Sequence, residues 1–228
     1  MRILLITDSL GLPRKLVKYE DVWTDRLLKR IKLDEDNSLI VYTMLKRALT
    51  IDQVWQMKTD IGYLSPDIII FQFGVVDSVR RVMPRKTEEM LSKFRIGRWG
   101  IRFTRKHSSV FTRLYCIRYN SPKNFEKYLK KLIDWLEARP RFYTFIKIAP
   151  PGDNLLSRIY NAKDDINLYN DILLRHIRGS GSLLDPYAGE EIEKFILKED
   201  GHHLTSYGNQ LVYNSVWNYI NEKRLTLE

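Results

Sequence analysis

The sequence predicts an α/β fold: a three-layer α/β/α sandwich around a mostly parallel, flavodoxin-like sheet of about five strands. Three observations predict it. Ile3-Leu4-Leu5-Ile6, directly after Met1-Arg2, is an uninterrupted apolar run of the kind that forms a strand buried on both faces. Ile68-Ile69-Ile70-Phe71-Gln72-Phe73, introduced by Pro66-Asp67 and ended by Gly74, is a second and clearer one. Between them strand and helix patterns alternate, and such units close as right-handed crossovers onto a parallel sheet.

The elements follow in order. After the first strand, Asp8-Ser9 stops the apolar run, and Gly11 and Pro13 turn the chain into a loop carrying Arg14, Lys15 and Lys18. A helix is predicted from about Asp21 to Ile31, with Trp23, Leu27, Leu28 and Ile31 on one face. Asp34 to Ser38 reads as a polar turn, Leu39 to Tyr42 as the second strand, and Lys46 to Leu49 as a connection. A helix near Ile51 to Ile61 carries Val54, Trp55 and Met57 and leads to the strand at Ile68. Regular alternation resumes at Ser121-Pro122, a serine cap followed by proline at the first helical position. Phe125, Leu129, Leu132, Ile133 and Leu136 form one stripe, and Pro140 ends that helix. A strand over Phe142 to Ala149, a helix from about Asp164 to Ile177, a stop at Gly179-Ser180-Gly181 and a short strand at Leu183 to Asp185 come next. The chain finishes with a helix from about Ser206 to Asn221.

At 228 residues and 44% hydrophobic content, one domain over 1–228 is the expected organisation. Cys116 is the single cysteine, so a disulfide framework and a cysteine-based zinc site are excluded. Met1 to Ile6 is too short for a secretory signal core and no apolar run is long enough to span a bilayer, so the expected location is cytoplasmic. The net charge of +10 is concentrated: Val79 to Arg118 holds twelve Lys/Arg against Glu88 and Glu89, and the rest of the chain balances. This stretch reads as a basic insertion at about 79–118. Phe94, Ile96, Trp99, Ile101 and Phe103 interleave with its arginines, and Gly97 and Gly100 are expected to break any long helix there. It leaves the sheet at the carboxyl edge, where open parallel sheets collect their chemistry, so it is expected to cap the site.

Ser9 stands at the tip of the first strand, and Asp200 and His203 stand three apart just before the last helix. An imidazole held by a carboxylate can deprotonate a serine, which is a poor nucleophile at its free pKa. A capping serine and a structural Asp–His pair are the plain alternatives at these positions.

With these residues the sequence resembles the GDSL/SGNH hydrolases. Thr7-Asp8-Ser9-Leu10 is similar to their Gly-Asp-Ser-Leu signature. Asp200-Gly201-His202-His203-Leu204-Thr205 is similar to Asp-Gly-x-His-Leu-Thr, with Gly208 also in place. Gly74-Val75-Val76-Asp77 corresponds to their Gly-x-Asn-Asp. The resemblance implies an SGNH-type fold, with Ser9 as nucleophile, His203 as general base and Asp200 as its orienting partner. Gly74 and Asp77 belong to the oxyanion and substrate region, and no metal is implied. Val76 stands where the family carries an asparagine whose amide stabilises the oxyanion, and losing one such donor costs about 10²–10³ in rate. The family's other donor is a glycine N–H after the second strand. Lys46 to Leu49 contains no glycine, and Ala48 is placed to offer that N–H beside that of Ser9. Arg81, four residues after Asp77, is the candidate for the missing charge stabilisation, against its being one more residue of the basic surface.

The implied function is serine-dependent acyl-ester hydrolysis of an O-acylated carbohydrate or other anionic substrate. Its rival is an O-acyltransferase of surface-polysaccharide synthesis, in which acetyl-CoA would be the donor; the hydrolase needs no cofactor. A third reading is a weakened site that binds an anionic glycan or lipid. Arg80, Arg85, Arg95, Arg98, Arg102 and Arg105 are the anion-binding candidates. The basic segment fits an anionic substrate or donor, or an anionic membrane surface met peripherally; nucleic acid comes last, because no recognised motif accompanies the charge.

Overall fold

The computed structural model describes residues 1–33, 39–139 and 141–227. Its sheet has five strands, β1 Arg2–Thr7, β2 Ile40–Leu45, β3 Ile68–Gln72, β4 Phe142–Ile146 and β5 Gly181–Leu184, in the order β2-β1-β3-β4-β5. Every neighbouring pair is parallel, which is the flavodoxin-like order. The apolar runs at Ile3 and Ile68 are continuous because β1 and β3 lie inside the sheet with both faces covered; Ile3 to Ile6 and Ile68 to Phe71 are fully buried. Register pairs Ile3 with Ile68 and Thr7 with Gln72, so β1 and β3 end side by side.

The helices are α1 Trp23–Lys32, α2 Ile51–Gln56, α3 Lys58–Leu64, α4 Val75–Ser78, α5 Arg85–Ser92, α6 Arg95–Lys106, α7 Ser108–Leu114, α8 Pro122–Glu137, α9 Asp153–Arg158, α10 Ala162–His176, α11 Ile192–Phe195 and α12 Ser206–Leu227. Helix α8 packs on α2 and α10, and α1 packs on α12. The Ser121 hydroxyl accepts the N–H of Asn124 and so caps α8, whose apolar stripe is buried. Asp165 on α10 takes Arg80 at 2.8 Å and Arg118 at 2.5 Å, which fastens both ends of the basic segment to the core.

Several boundaries differ from the sequence reading. The helix predicted from Ile51 to Ile61 is two helices, divided at Met57. The final helix runs on to Leu227. Gly181 begins β5 instead of ending a turn. Gly97 and Gly100 do not break a helix: α6 passes through both. A Cβ on Gly97 would run into the backbone of Leu91, so this glycine lets α5 and α6 approach closely, while Gly100 faces open space. The turn at Asp34 to Ser38 and the stop at Pro140 lie outside the described residues. Among the described residues no helix is long and apolar enough to cross a membrane.

Candidate active site

The site begins where β1 ends. The Asp8 N–H donates to the Gln72 carbonyl at the end of β3, 2.9 Å away, and the Asp8 carboxyl accepts the Leu10 N–H at 2.8 Å. These two bonds tip the chain out of the sheet into a 3-10 turn over Ser9–Gly11, which leaves Ser9 at the carboxyl edge, half-buried. Asp8 is buried. Burial pushes its carboxyl up to about 7, against the Leu10 hydrogen bond and the charge of Arg14.

The partner segment is delivered by the packing of α1 on α12. The Trp23 N–H donates to Asn209 at 3.1 Å, and the Ser206 hydroxyl donates to Asp21 at 2.9 Å. The loop ahead of α12 is then held from both sides: Leu197 N–H reaches the His203 carbonyl at 2.7 Å, Thr205 N–H the Phe195 carbonyl at 2.9 Å, and Gly152 N–H the Gly201 carbonyl at 2.8 Å. Gly201 sits at φ +73°, and a Cβ there would strike Leu155, so the turn between Asp200 and His203 requires glycine.

Ser9, His203 and Asp200 consequently form one chain of hydrogen bonds across 194 residues of sequence. Ser9 Oγ lies 3.1 Å from His203 Nε2, and His203 Nδ1 lies 2.6 Å from Asp200 Oδ2. The N–H groups of His202 and His203 both donate to Asp200 Oδ1 at 3.0 Å. This network assigns the imidazole proton to Nδ1, leaving the Nε2 lone pair facing both the serine hydroxyl and the Arg14 guanidinium. Burial alone would raise the Asp200 carboxyl, but the His203 side chain and N–H, the charge of His202 and the His202 N–H hold it well below the usual carboxylate range. Burial, then His203, pushes His202 down to about 4, so it is neutral near pH 7. Asp200, His202 and His203 also bring one ligand atom each within 4.8 Å of one another, which is metal-ligand spacing. A cation there would compete with the Asp200–His203 hydrogen bond for the same atoms.

No family model matches the sequence, and no curated protein matches it. The structural likeness is extensive. An acetyl xylan esterase, AlAXEase, superposes with TM-score 0.64 at 17% identity, over 96% of this chain and 100% of that one. Axe2, an acetylxylan esterase from Geobacillus stearothermophilus, gives 0.64 at 11% over 95% and 92%. A lipase/acylhydrolase from Enterococcus faecalis gives 0.63 at 14% over 97% and 96%. The chain has the SGNH-hydrolase fold.

Within that fold, the middle of the site departs from expectation. Val76 is buried in α4 and brings no donor. Asp77 is not turned to substrate: it is fully buried, accepting from Asn120 Nδ2 at 2.7 Å and from the Ile51 N–H at 3.2 Å. Burial pushes its carboxyl up to about 8 despite those two bonds. Gly74 is buried at the start of α4, its carbonyl accepting the N–H groups of Asp77 and Ser78. Ala48 adopts φ +54°, the left-handed conformation glycine favours, and its N–H donates to none of the described residues. Arg81 reaches the Val76 carbonyl at 3.5 Å and lies over the Tyr119 ring at 5.0 Å; among the described residues it contacts neither Ser9 nor His203. The cation at the centre is Arg14, whose guanidinium touches His203 Nε2 and lines the narrow recess in front of Ser9. Its Nε is buried with no partner among the described residues. Sequence reading gave Arg14 no role. The available signal was position: a loop leaving the first strand of a parallel sheet lies over its carboxyl edge.

Several anion-binding candidates already have partners. Arg80 is taken by Asp165, Arg85 by Glu89 and Arg105 by Glu88. Arg95, Arg98 and Arg102 stand exposed on α6. Beside the hydrogen-bonded group of Ser9, His203 and Asp200, a cavity of about 310 Å³ is lined by Arg80, Arg81, Arg105 and Arg158 together with Glu88 and His202. Arg158 donates to the Asp200 carbonyl at 2.9 Å, which links this cavity to the histidine loop.

Proposed function

We propose that this protein is a serine acyl-ester hydrolase acting on an O-acylated carbohydrate or another ester bearing negative charge. One observation carries the reading: the continuous hydrogen-bond chain from Ser9 through His203 to Asp200. Ser9 Oγ attacks the ester carbonyl as its proton passes to His203 Nε2. Asp200 steadies the imidazolium through Nδ1, and the alcohol leaves with the proton. Water then attacks the acyl carbonyl carbon, giving a proton to Nε2; the bond to Ser9 Oγ breaks, Oγ takes that proton back, and the acid departs. The developing oxyanion is met by the N–H groups of Ser9 and Ala48, and by Arg14 in place of the absent asparagine amide. Arg14 leaves Nε2 for the carbonyl oxygen as substrate enters. Arg81 and Arg158, which no carboxylate takes among the described residues, line the cavity next to His202 and favour an anionic substrate. Structural neighbours named as esterases favour ester chemistry, and two of them, AlAXEase and Axe2, are named for acetyl xylan.

The test is labelling by a fluorophosphonate together with hydrolysis of an aryl acetate, in wild type and in Ser9→Ala. Labelling confined to wild type is expected. Labelling of neither protein would reject the hydrolase and leave a binding module. Acetyl-CoA turnover that appears only with a sugar acceptor would replace hydrolysis by acyl transfer.

A further inference from the structure

Helix α6 turns two parallel rows to solvent. Ile96, Trp99 and Phe103, spaced i, i+3 and i+7, are 85%, 70% and 48% exposed. Arg95, Arg98 and Arg102 repeat the same spacing one residue earlier and stand beside them, all exposed, with Lys106 continuing the basic row. The opposite side of the helix, Gly97 and Ile101, is buried. The Trp99 and Phe103 rings lie nearly parallel, 6.1 Å apart, so the apolar row is continuous.

We propose that α6 is an in-plane membrane anchor. It lies on an anionic lipid surface, with Ile96, Trp99 and Phe103 in the headgroup layer and Arg95, Arg98, Arg102 and Lys106 against lipid phosphates. An aromatic-aliphatic row flanked by cations is the composition of interfacial helices. Twelve residues make a helix about 18 Å long, too short to span and long enough to lie flat. Other occupants use only half of the surface. A second copy of the chain would set one basic row against another. An acidic polysaccharide would engage the arginines and leave the apolar row in water. A nucleic acid would stack on the aromatic rings, but Ile96, the most exposed of the row, offers no ring to stack on. A bilayer of anionic lipid satisfies both rows. Arg105, on the same helix, lines the cavity beside His202, so docking would hold that cavity at the lipid surface.

The experiment is co-sedimentation of the full chain with vesicles of mixed phosphatidylglycerol and phosphatidylcholine, and with phosphatidylcholine alone, while tryptophan emission is followed. It is run on wild type and Ser9→Ala alike, so that lipid binding is read independently of ester chemistry. Binding is expected to anionic vesicles only, to weaken as salt rises, and to shift the emission to the blue. Trp99 is the exposed tryptophan, so Trp99→Phe should abolish the shift while preserving binding. Replacing Arg95, Arg98, Arg102 and Lys106 by Gln should lower partitioning about 10²–10³-fold, at roughly fivefold per cation. Trp99→Ser with Phe103→Ser should lower it about tenfold or more. Both variants change solvent-facing side chains, and circular dichroism checks that each is folded. Equal binding to neutral vesicles, no binding, or partitioning unmoved by the two variants would overturn the proposal. Binding to heparin or single-stranded DNA without vesicle binding would reassign the face to a soluble polyanion.

Discussion

Asp200→Asn should cost more than its small change in volume suggests, because the backbone decides which way the new amide points. Asp200 Oδ1 accepts two N–H groups, those of His202 and His203, each at 3.0 Å. In Asp200→Asn only the amide oxygen can satisfy both, so the NH₂ group is turned toward His203 Nδ1, where Oδ2 now sits at 2.6 Å. A donor facing Nδ1 forces the imidazole proton onto Nε2. Nε2 then has no lone pair to accept the proton of the Ser9 hydroxyl, 3.1 Å away, and its N–H faces the Arg14 guanidinium as well. The wrong tautomer in such a triad lowers turnover about 10⁴-fold, equivalent to roughly 5 kcal/mol on the barrier. The assay is aryl-acetate turnover by wild type, Asp200→Asn and Ser9→Ala, with ¹⁵N chemical shifts reading the His203 tautomer. Asp200→Asn should approach the Ser9→Ala background with its fold intact, and His203 should carry its proton on Nε2. Turnover within tenfold of wild type would refute the reasoning. So would an unchanged tautomer accompanied by lost activity.

Three further outcomes follow from particular contacts. Arg14→Gln should lower kcat/KM about 10²-fold while Arg81→Ala stays within a few-fold on a small neutral ester, as steady-state kinetics will read; a faster Arg14→Gln enzyme would make Arg14 an obstruction instead of an oxyanion partner. Asp8 is 1% exposed and its carboxyl is raised to about 7, so between about pH 4 and pH 7 the folded protein holds a proton that the unfolded chain has released. This contribution to stability is largest below that window and falls by about 4 kcal/mol as pH rises through it. Asp8→Asn, whose amide oxygen still accepts the Leu10 N–H, should therefore flatten the pH dependence in urea unfolding and exceed wild type in stability at pH 8. In α6, Gly97→Ala should destabilise by about 1–3 kcal/mol because its Cβ meets the Leu91 backbone, whereas Gly100→Ala, facing open space, should stabilise by about 0.5–1 kcal/mol; urea melts of the pair separate close approach from helix propensity.

The sheet was legible because burial on two faces writes itself as unbroken apolar runs. Ile3 to Ile6 and Ile68 to Phe71 announce β1 and β3 without any partner being known. Strand ends are less legible than strand centres: β2, β4 and β5 each end at residues other than those the pattern gives, and β4 is an interior strand. Glycine misled in α6, where local propensity opposes a helix but packing on Leu91 favours one. The candidate site divides the same way. Ser9 and the Asp200–His203 spacing are local patterns and could be singled out from sequence alone. That Arg14 touches His203 while Arg81 stacks on Tyr119, that Asp77 is buried under Asn120, and that Ala48 adopts a left-handed backbone are facts of tertiary packing. By itself the sequence determined which residue types are available and how each segment prefers to fold. Only the tertiary structure decided which cation reaches the imidazole and which are already paired, because long charged side chains take their partners from segments that are far away in the chain.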